Sequence, residues 1–269
     1  RLSQQLITIG EMMQPLLQIA LFSVGAKLSH TLVRQLARRR FSEIPVAGKE
    51  TAINSVADFR KEYSAQGLED GDDSLRLGPV KLFTKWFDEA VRTKVLEPNA
   101  MCLATCSNNI PSARVVLMKG FDERGVVWFT NYNSKKGADL LANPVAAATF
   151  WWGELERSVR VEGRVEKVSA EESDEYFHSR PRGSQIGAWS SNQSHVINSR
   201  AELDEHERMV QARFQDESVQ VPRPPHWGGF RLVPTKIEFW KGRKSRMHDR
   251  IVFTRESADA AWNQIRLQP

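Results

Sequence analysis

The apolar positions change their period along the chain. Val80, Phe83, Trp86, Phe87, Ala90 and Val91 recur at helical spacing, and Pro79 before them suits a first helical position. From Ala100 the period shortens to two. Residues 100–106, 113–121, 126–132 and 145–152 read as strands, separated by turn clusters such as Ser107-Asn108-Asn109 and Asp122-Glu123-Arg124-Gly125. Residues 158–168 alternate most cleanly. Val159, Val161 and Val165 fall on one face and Arg160, Glu162, Arg164 and Glu166 on the other, as in a half-buried antiparallel strand. Ser134 can cap a short helix over 135–142, ended by Asn143-Pro144. Ser169-Ala170-Glu171-Glu172 and Ser199-Arg200-Ala201-Glu202 are capping boxes that open two more helices. Pro181 stops the first, and the second runs to about Phe214. Past the prolines of 222–225, three further strands are predicted at 228–233, 236–240 and 247–254. The order predicts a mainly β protein with flanking helices, its strands in a closed or nearly closed antiparallel barrel.

Hydrophobic residues at 41% and charged residues at 26% are ordinary for a soluble globular chain. The net charge of +5 raises a nucleic-acid partner, but its distribution argues against one. The first 40 residues hold Arg1, Lys27, Arg34, Arg38, Arg39 and Arg40 against Glu11, which leaves the rest of the chain balanced. Local basic clusters in a balanced domain suit a phosphorylated small molecule better than a duplex. Residues 1–55 therefore read as a basic extension, and 56–269 as the folded domain. The apolar stretch from 16 to 26 is too short to cross a bilayer, so no membrane partner is expected. The acid-poor start resembles an organelle transit peptide and equally suits an extension with no address. The expected location is cytoplasmic, or mitochondrial or plastid if the extension is a transit peptide. Glu69-Asp70-Gly71-Asp72-Asp73 reads as a linker. Cys102 and Cys106 fall on one strand face about 13 Å apart, too far for a disulfide, and are expected to be buried thiols.

Most familiar catalytic signatures are absent. The sequence has no GxGxxG after a strand, no Walker loop and no GxSxG. Its six histidines show no metal-ligand spacing, and no metal site is expected. Four polar clusters remain. Arg114 and Lys119 bracket four apolar residues, about 17 Å end to end, and could run along a ligand with its phosphate near Arg114. Their odd spacing puts them on opposite faces of a regular strand, so a bulge or a dimer interface must bring both to one ligand. Lys135 and Lys136 sit at a helix start, where cations oppose the dipole unless an anion is present. Tyr176 and Arg180 share a helix face, with Ser184 beyond Pro181. They suit a second phosphate or a plain helix end. Arg246, His248 and Arg250 would alternate onto one strand face, toward an electron-rich partner or as a salt-bridged edge.

The stretches PSARVVLMKGF, WFTNYNSKKG, RVEGRVEKV, DEYFHSRPRGSQIGAWSSNQS, HWGGFRLVP, IEFWKGRKSRMHDRIVF and RLQP occur in this order over residues 56–269. Together they resemble the pyridoxine/pyridoxamine 5′-phosphate oxidase family. The resemblance implies an FMN-binding split barrel and a homodimer with two sites at its interface. It implies oxidation of pyridoxine 5′-phosphate and pyridoxamine 5′-phosphate to pyridoxal 5′-phosphate. A hydride passes from the substrate's C4′ to flavin N5, and O2 then takes the electrons and leaves as peroxide. Carried over by position, the FMN set is Arg114, Val115, Val116, Leu117, Lys119, Phe129 and Thr130, with Lys135, Lys136, Gln193, Ser194, Trp227 and Arg250. Ser158 stands where the family usually has a glutamine that touches the flavin, and its shorter hydroxyl would reach the flavin through water. Lys135-Lys136 replaces the usual Arg-Lys pair, which keeps the charge and loses a bidentate fork. Lys119, Tyr176, Arg180 and Ser184 would hold the substrate phosphate. Arg246 and His248, the expected catalytic pair, would flank the reacting carbon. Arg60, Lys61 and Tyr63 match a segment that closes over the site. The rivals are another FMN split-barrel protein such as a flavin reductase, and a non-catalytic pyridoxal-phosphate binding protein.

Overall fold

A computed structural model describes Phe59, Glu62, Tyr63 and residues 67–269. The expected extension over 1–55, with its transit-peptide reading, lies outside the described residues, as do Arg60 and Lys61 of the expected substrate set.

Among the described residues, nine strands form one antiparallel sheet, in the order β2-β1-β5-β6-β7-β4-β3, with β8 on β7 and β9 on β8. They are β1 (Ala100–Ser107), β2 (Ile110–Leu117), β3 (Gly120–Asp122), β4 (Gly125–Asn131), β5 (Val145–Trp152), β6 (Arg157–Lys167), β7 (Trp227–Lys241), β8 (Asp249–Thr254) and β9 (Asn263–Leu267). The helices are α1 (Pro79–Arg92), α2 (Lys135–Ala142), α3 (Ala170–Ser179), α4 (Arg182–Ser190) and α5 (Arg200–Arg213). This mainly β architecture with flanking helices agrees with the predicted class and is compatible with a split barrel.

Alternation fixes the core. Leu103, Ala148, Val161 and Ile237 lie in one row across β1, β5, β6 and β7, and all are fully buried. Helix α1 covers this core with Leu82, Phe83, Trp86 and Ala90, while Val91 of the predicted stripe is exposed. Ser134, Ser169 and Ser199 cap α2, α3 and α5 by accepting the backbone N–H three residues on, as predicted.

The longest strand, β7, organises the sheet. β6 runs along one of its edges, while β4 pairs with its first half and β8 with its second. Two separate strands, 228–233 and 236–240, are expected here from the sequence. Instead β7 continues through a bulge: Gly163 opposes Pro234 and Glu162 opposes Lys236, which leaves Thr235 unpaired. The extra residue flips the parity. Phe230 and Leu232 face the core before it, and Ile237 and Phe239 face the core after it. Trp227 and Trp240 therefore both sit off that core row, at opposite ends of β7, with about 40 Å of strand between them.

Other expectations are corrected. The predicted strand over 113–121 breaks at Met118-Lys119, where the chain changes partners: Met118 N–H donates to the Asn99 carbonyl and Lys119 N–H to that of Val127. The acidic linker is part of the fold. Asp72 caps a 3-10 turn over Asp73–Leu77, and Leu68 and Leu75 are core residues. Cys102 is exposed and Cys106 partly exposed, because Met101, Leu103 and Thr105 take the core face of β1. The strand predicted from 247 begins at Asp249. Lys244–Arg246 is a 3-10 turn with Ser245 and Arg246 at positive φ, so Arg246 and His248 precede the strand that carries Arg250.

The bulge has little room. A Cβ at Gly163 would lie 2.0 Å from the Val233 carbonyl oxygen. Gly163→Ala is expected to lower unfolding free energy by about 1–3 kcal/mol, as overpacking does, measured by denaturant titration. An unchanged midpoint would contradict this account of the bulge.

Candidate functional site

A cavity of about 710 Å³ is lined by β2 and β4 and by the helices beyond them. β2 supplies Arg114, Val115, Val116 and Leu117, and the break after β2 supplies Lys119. β4 supplies Phe129, Thr130 and Asn131, and the first turn of α2 supplies Lys136. Tyr176 from α3, Arg180 beyond it, Ser184 from α4, Gln193 and Trp227 complete the wall. The change of partners at Met118-Lys119 resolves the odd spacing of Arg114 and Lys119 within a single chain.

The cations of this cavity differ in what balances them. Arg114 donates to Thr105 Oγ1 at 2.7 Å, to Ser112 Oγ at 2.7 Å and to the Leu103 carbonyl, and lies 3.8 Å from the Asp139 carboxylate. Asp139 is buried and also accepts from Thr105 Oγ1 and from Lys135. Lys135 thus points to Asp139 and does not line the cavity. Lys136 is buried, and among the described residues its Nζ donates only to neutral oxygens: Gln193 Oε1 at 2.8 Å, Thr130 Oγ1 at 3.1 Å and Ser134 Oγ at 3.2 Å. Burial, then the Arg114 charge, lowers its pKa to about 8. A buried ammonium with no carboxylate partner is costly, and an anion at this wall would offset that cost.

Arg180, half-buried, is a second cation of this cavity with no carboxylate partner among the described residues. Its Nη1 is buried and has no hydrogen-bond partner among the described residues, and burial lowers its pKa from the usual guanidinium value. Phe129 and Tyr176 stack beside it, with ring centroids 4.0 Å apart. Gln185 Nε2 donates to the Arg180 carbonyl at 2.9 Å and fixes the turn between α3 and α4.

Other expected residues gather elsewhere. Ser158 lines a smaller cavity of about 300 Å³ with Thr149, Trp151, Arg160, Glu238 and Trp240. Its hydroxyl donates to the Phe150 carbonyl at 2.9 Å. Glu238 is buried between Arg160 and Arg250, which bond it at 2.6 and 2.7 Å. The His248 ring lies 4.7 Å from that of Trp240 and 5.3 Å from that of Tyr63. Arg243 N–H donates to His248 Nδ1 at 3.1 Å, so the neutral ring carries its proton on Nε2. Burial, then the Arg246 charge, lowers the His248 pKa below the usual 6.5 and favours that neutral form. Asp249 ties this loop down: it accepts from Arg243 Nε, Arg266 Nη1 and Leu68 N–H. Ser194 and the exposed Arg246 line neither cavity.

Comparison with known proteins decides the family. A family model described as pyridoxamine 5′-phosphate oxidase matches residues 87–214. One described as the pyridoxine 5′-phosphate oxidase C-terminal dimerisation region matches 227–269. The pyridoxine/pyridoxamine 5′-phosphate oxidase of Paraburkholderia phytofirmans is 55% identical over 218 residues, 81% of this chain and 100% of that protein. The chain belongs to the pyridoxine/pyridoxamine 5′-phosphate oxidase family. The oxidase of that name from Nostoc punctiforme is 53% identical over 216 residues, 80% of this chain and 99% of that one. Among solved structures, PhzG from Burkholderia lata 383, in complex with tetrahydrophenazine-1-carboxylic acid, is 29% identical with a TM-score of 0.70, covering 77% of this chain and all of that one. A related FMN-binding protein from Nostoc punctiforme, 14% identical at a TM-score of 0.57 over 71% of this chain and 98% of that one, shares the fold. Among the described residues, no helix is long and apolar enough to cross a membrane.

Within this oxidase family fold, two cavity features escaped the sequence. Asn131 was read only as part of the strand 126–132. Trp240 was read only as part of a strand, although the period of two sets it with Glu238 off the core face, where a tryptophan needs a reason.

The low pKa of Lys136 gives a test with a definite sign. An anion binds the protonated lysine better, so affinity is lost as pH rises through about 8. With FMN as the phosphate-bearing probe, flavin fluorescence is expected to show the dissociation constant rising from about pH 7 to about pH 9.5. Lys136→Arg should flatten that rise, since a guanidinium keeps its charge there. A pH-independent constant in the unaltered protein would remove Lys136 from the anion site.

Proposed function

We propose that this chain is an FMN-dependent oxidase that converts pyridoxine 5′-phosphate and pyridoxamine 5′-phosphate to pyridoxal 5′-phosphate, with O2 as acceptor. Peroxide is the second product, and the amine substrate also releases ammonia. One observation carries the reading: a single cavity holds two cations that, among the described residues, have no carboxylate partner, the buried Lys136 on α2 and the half-buried Arg180 after α3. A phosphorylated cofactor and a phosphorylated substrate would balance one each.

Lys136 and Arg114, with Thr130 and Gln193, suit the FMN phosphate. FMN, when bound, supplies the hydride acceptor and the route for electrons to oxygen. Arg180, Tyr176, Ser184 and Lys119 suit the substrate phosphate, where a guanidinium offers two parallel bonds. Anchoring the phosphate there uses binding energy to fix the position of a carbon far from it. The neutral His248 presents its Nε2 proton as a donor, beside Arg246. These two, with Ser158, Trp240 and Arg250, line none of the large cavity, so a homodimer in which a second copy brings that face to the cavity completes the site. Val115 at 70% and Trp151 at 55% exposure leave apolar surface on the sheet for such a partner. PhzG's named ligand carries a carboxylate and no phosphate, and the two-cation cavity favours the phosphorylated substrate for this chain.

The direct experiment is to purify the protein, record its absorbance and follow peroxide after adding pyridoxine 5′-phosphate in air. Arg180→Gln is expected to raise KM for that substrate by about ten- to a hundredfold, with flavin content unchanged. Unphosphorylated pyridoxine should be a poor substrate for both proteins. Lost flavin, or an unmoved KM, would overturn the assignment of Arg180.

A further inference from the structure

We propose that Trp227 is a positioning residue for the substrate phosphate: its indole carries the Arg180 guanidinium and holds it toward the cavity, and the ring does not serve the flavin. The inference rests on the proposed role of Arg180.

A guanidinium is normally held by a carboxylate or by carbonyl oxygens. Among the described residues Arg180 has no ion pair, and its Nη1 is buried without a partner. What it does have is a ring: Arg180 Cζ lies 4.7 Å from the Trp227 centroid and 5.8 Å from that of Phe177. An indole attracts a cation through its face without occupying the N–H groups, so the fork stays free for an incoming phosphate. A carboxylate in the same place would hold Arg180 more firmly and compete with the ligand.

The platform is itself fixed. Trp227 is 6% exposed, with Phe177 edge-on at 5.2 Å, Phe129 stacked at 5.6 Å and Tyr176 parallel at 6.2 Å. Its backbone N–H donates to the Pro224 carbonyl, and its backbone carbonyl accepts from Arg223 Nη1 at 2.7 Å. Arg223 in turn pairs at 2.6 Å with Asp174 on α3, the helix that carries Tyr176 and leads to Arg180. The ring and the guanidinium are thus referred to the same helix. With Phe129, Tyr176, Phe177 and Arg180 around it, the indole has little surface left for a flavin.

Steady-state kinetics with pyridoxine 5′-phosphate, with flavin content measured by absorbance, test this on Trp227→Leu, Trp227→Phe and their combinations with Arg180→Gln. Trp227→Leu is expected to raise KM by about five- to thirtyfold with kcat little changed and flavin retained. Trp227→Phe, which keeps a weaker aromatic face, should raise it by only about two- to fivefold. In the Arg180→Gln background Trp227→Leu should add almost nothing. If the leucine variant does not fold, the phenylalanine variant decides: a raised KM supports the proposal and an unchanged one overturns it. Loss of flavin on changing Trp227, or full additivity with Arg180→Gln, would overturn it too. If Arg180→Gln alone leaves KM unmoved, the underlying reading of Arg180 fails. If Arg180 responds and Trp227 does not, only the present inference fails.

Discussion

The rest of the structure depends on the pairing of β7. This strand hydrogen-bonds to β6 along one edge and to both β4 and β8 along the other. Its bulge at Thr235 lets one continuous strand keep Phe230, Leu232, Ile237 and Phe239 on the same core. That continuity has a consequence for chemistry. The β4 end of β7 carries Trp227 and the large cavity, and the β8 end carries Trp240 and leads to the His248 loop. A rigid strand about 40 Å long cannot bend its two ends to one ligand, so a site that uses both must take them from two chains.

Charge is arranged to the same purpose. Most arginines of the fold are matched: Arg231 is buried between Asp122 and Glu172, Arg157 pairs with Glu89, and Asp249 joins Arg243 and Arg266. Against that background the unmatched Lys136 and Arg180 stand out. A buried Lys136 and a half-buried Arg180 left with neutral or aromatic company lower stability in the absence of an anion and favour whatever anion enters. Neighbouring Lys135, satisfied by Asp139, shows that the fold had a carboxylate available and spent it one residue away from the cavity.

Much of this was legible in the sequence. Strand β6 and helix α1 follow from their period, because each buries one clean face. The serine caps were visible because a side-chain oxygen before a helix has one job. The motifs carried the family, and ten residues of the expected flavin set share one cavity with Tyr176, Arg180 and Ser184. Other features depend on context that no local pattern holds. Helix α4, RGSQIGAWS, has two glycines and two serines, so propensity hides it, and its place comes from packing after Pro181. The edge strand β9 is mostly exposed and has no apolar stripe. Lys135 and Lys136 are equivalent in sequence, but adjacent helix positions differ by about 100°, and only folding shows which one meets Asp139. The alternation expected for Arg246, His248 and Arg250 failed because Ser245 and Arg246 turn at positive φ before the strand begins.

In the proposed homodimer each site takes its anion-binding wall from one chain and its His248 face from the other. Mixed dimers test it most directly. Lys136→Glu disables the first part and His248→Leu the second, so each homodimer should be nearly inactive. Co-expressed with two different tags and purified through both, the heterodimer holds one site with both defects and one with neither. The account predicts about half the wild-type turnover per dimer, with flavin in one site of the two. A doubly tagged heterodimer as inactive as its parents would contradict it, because each site would then be built within a single chain.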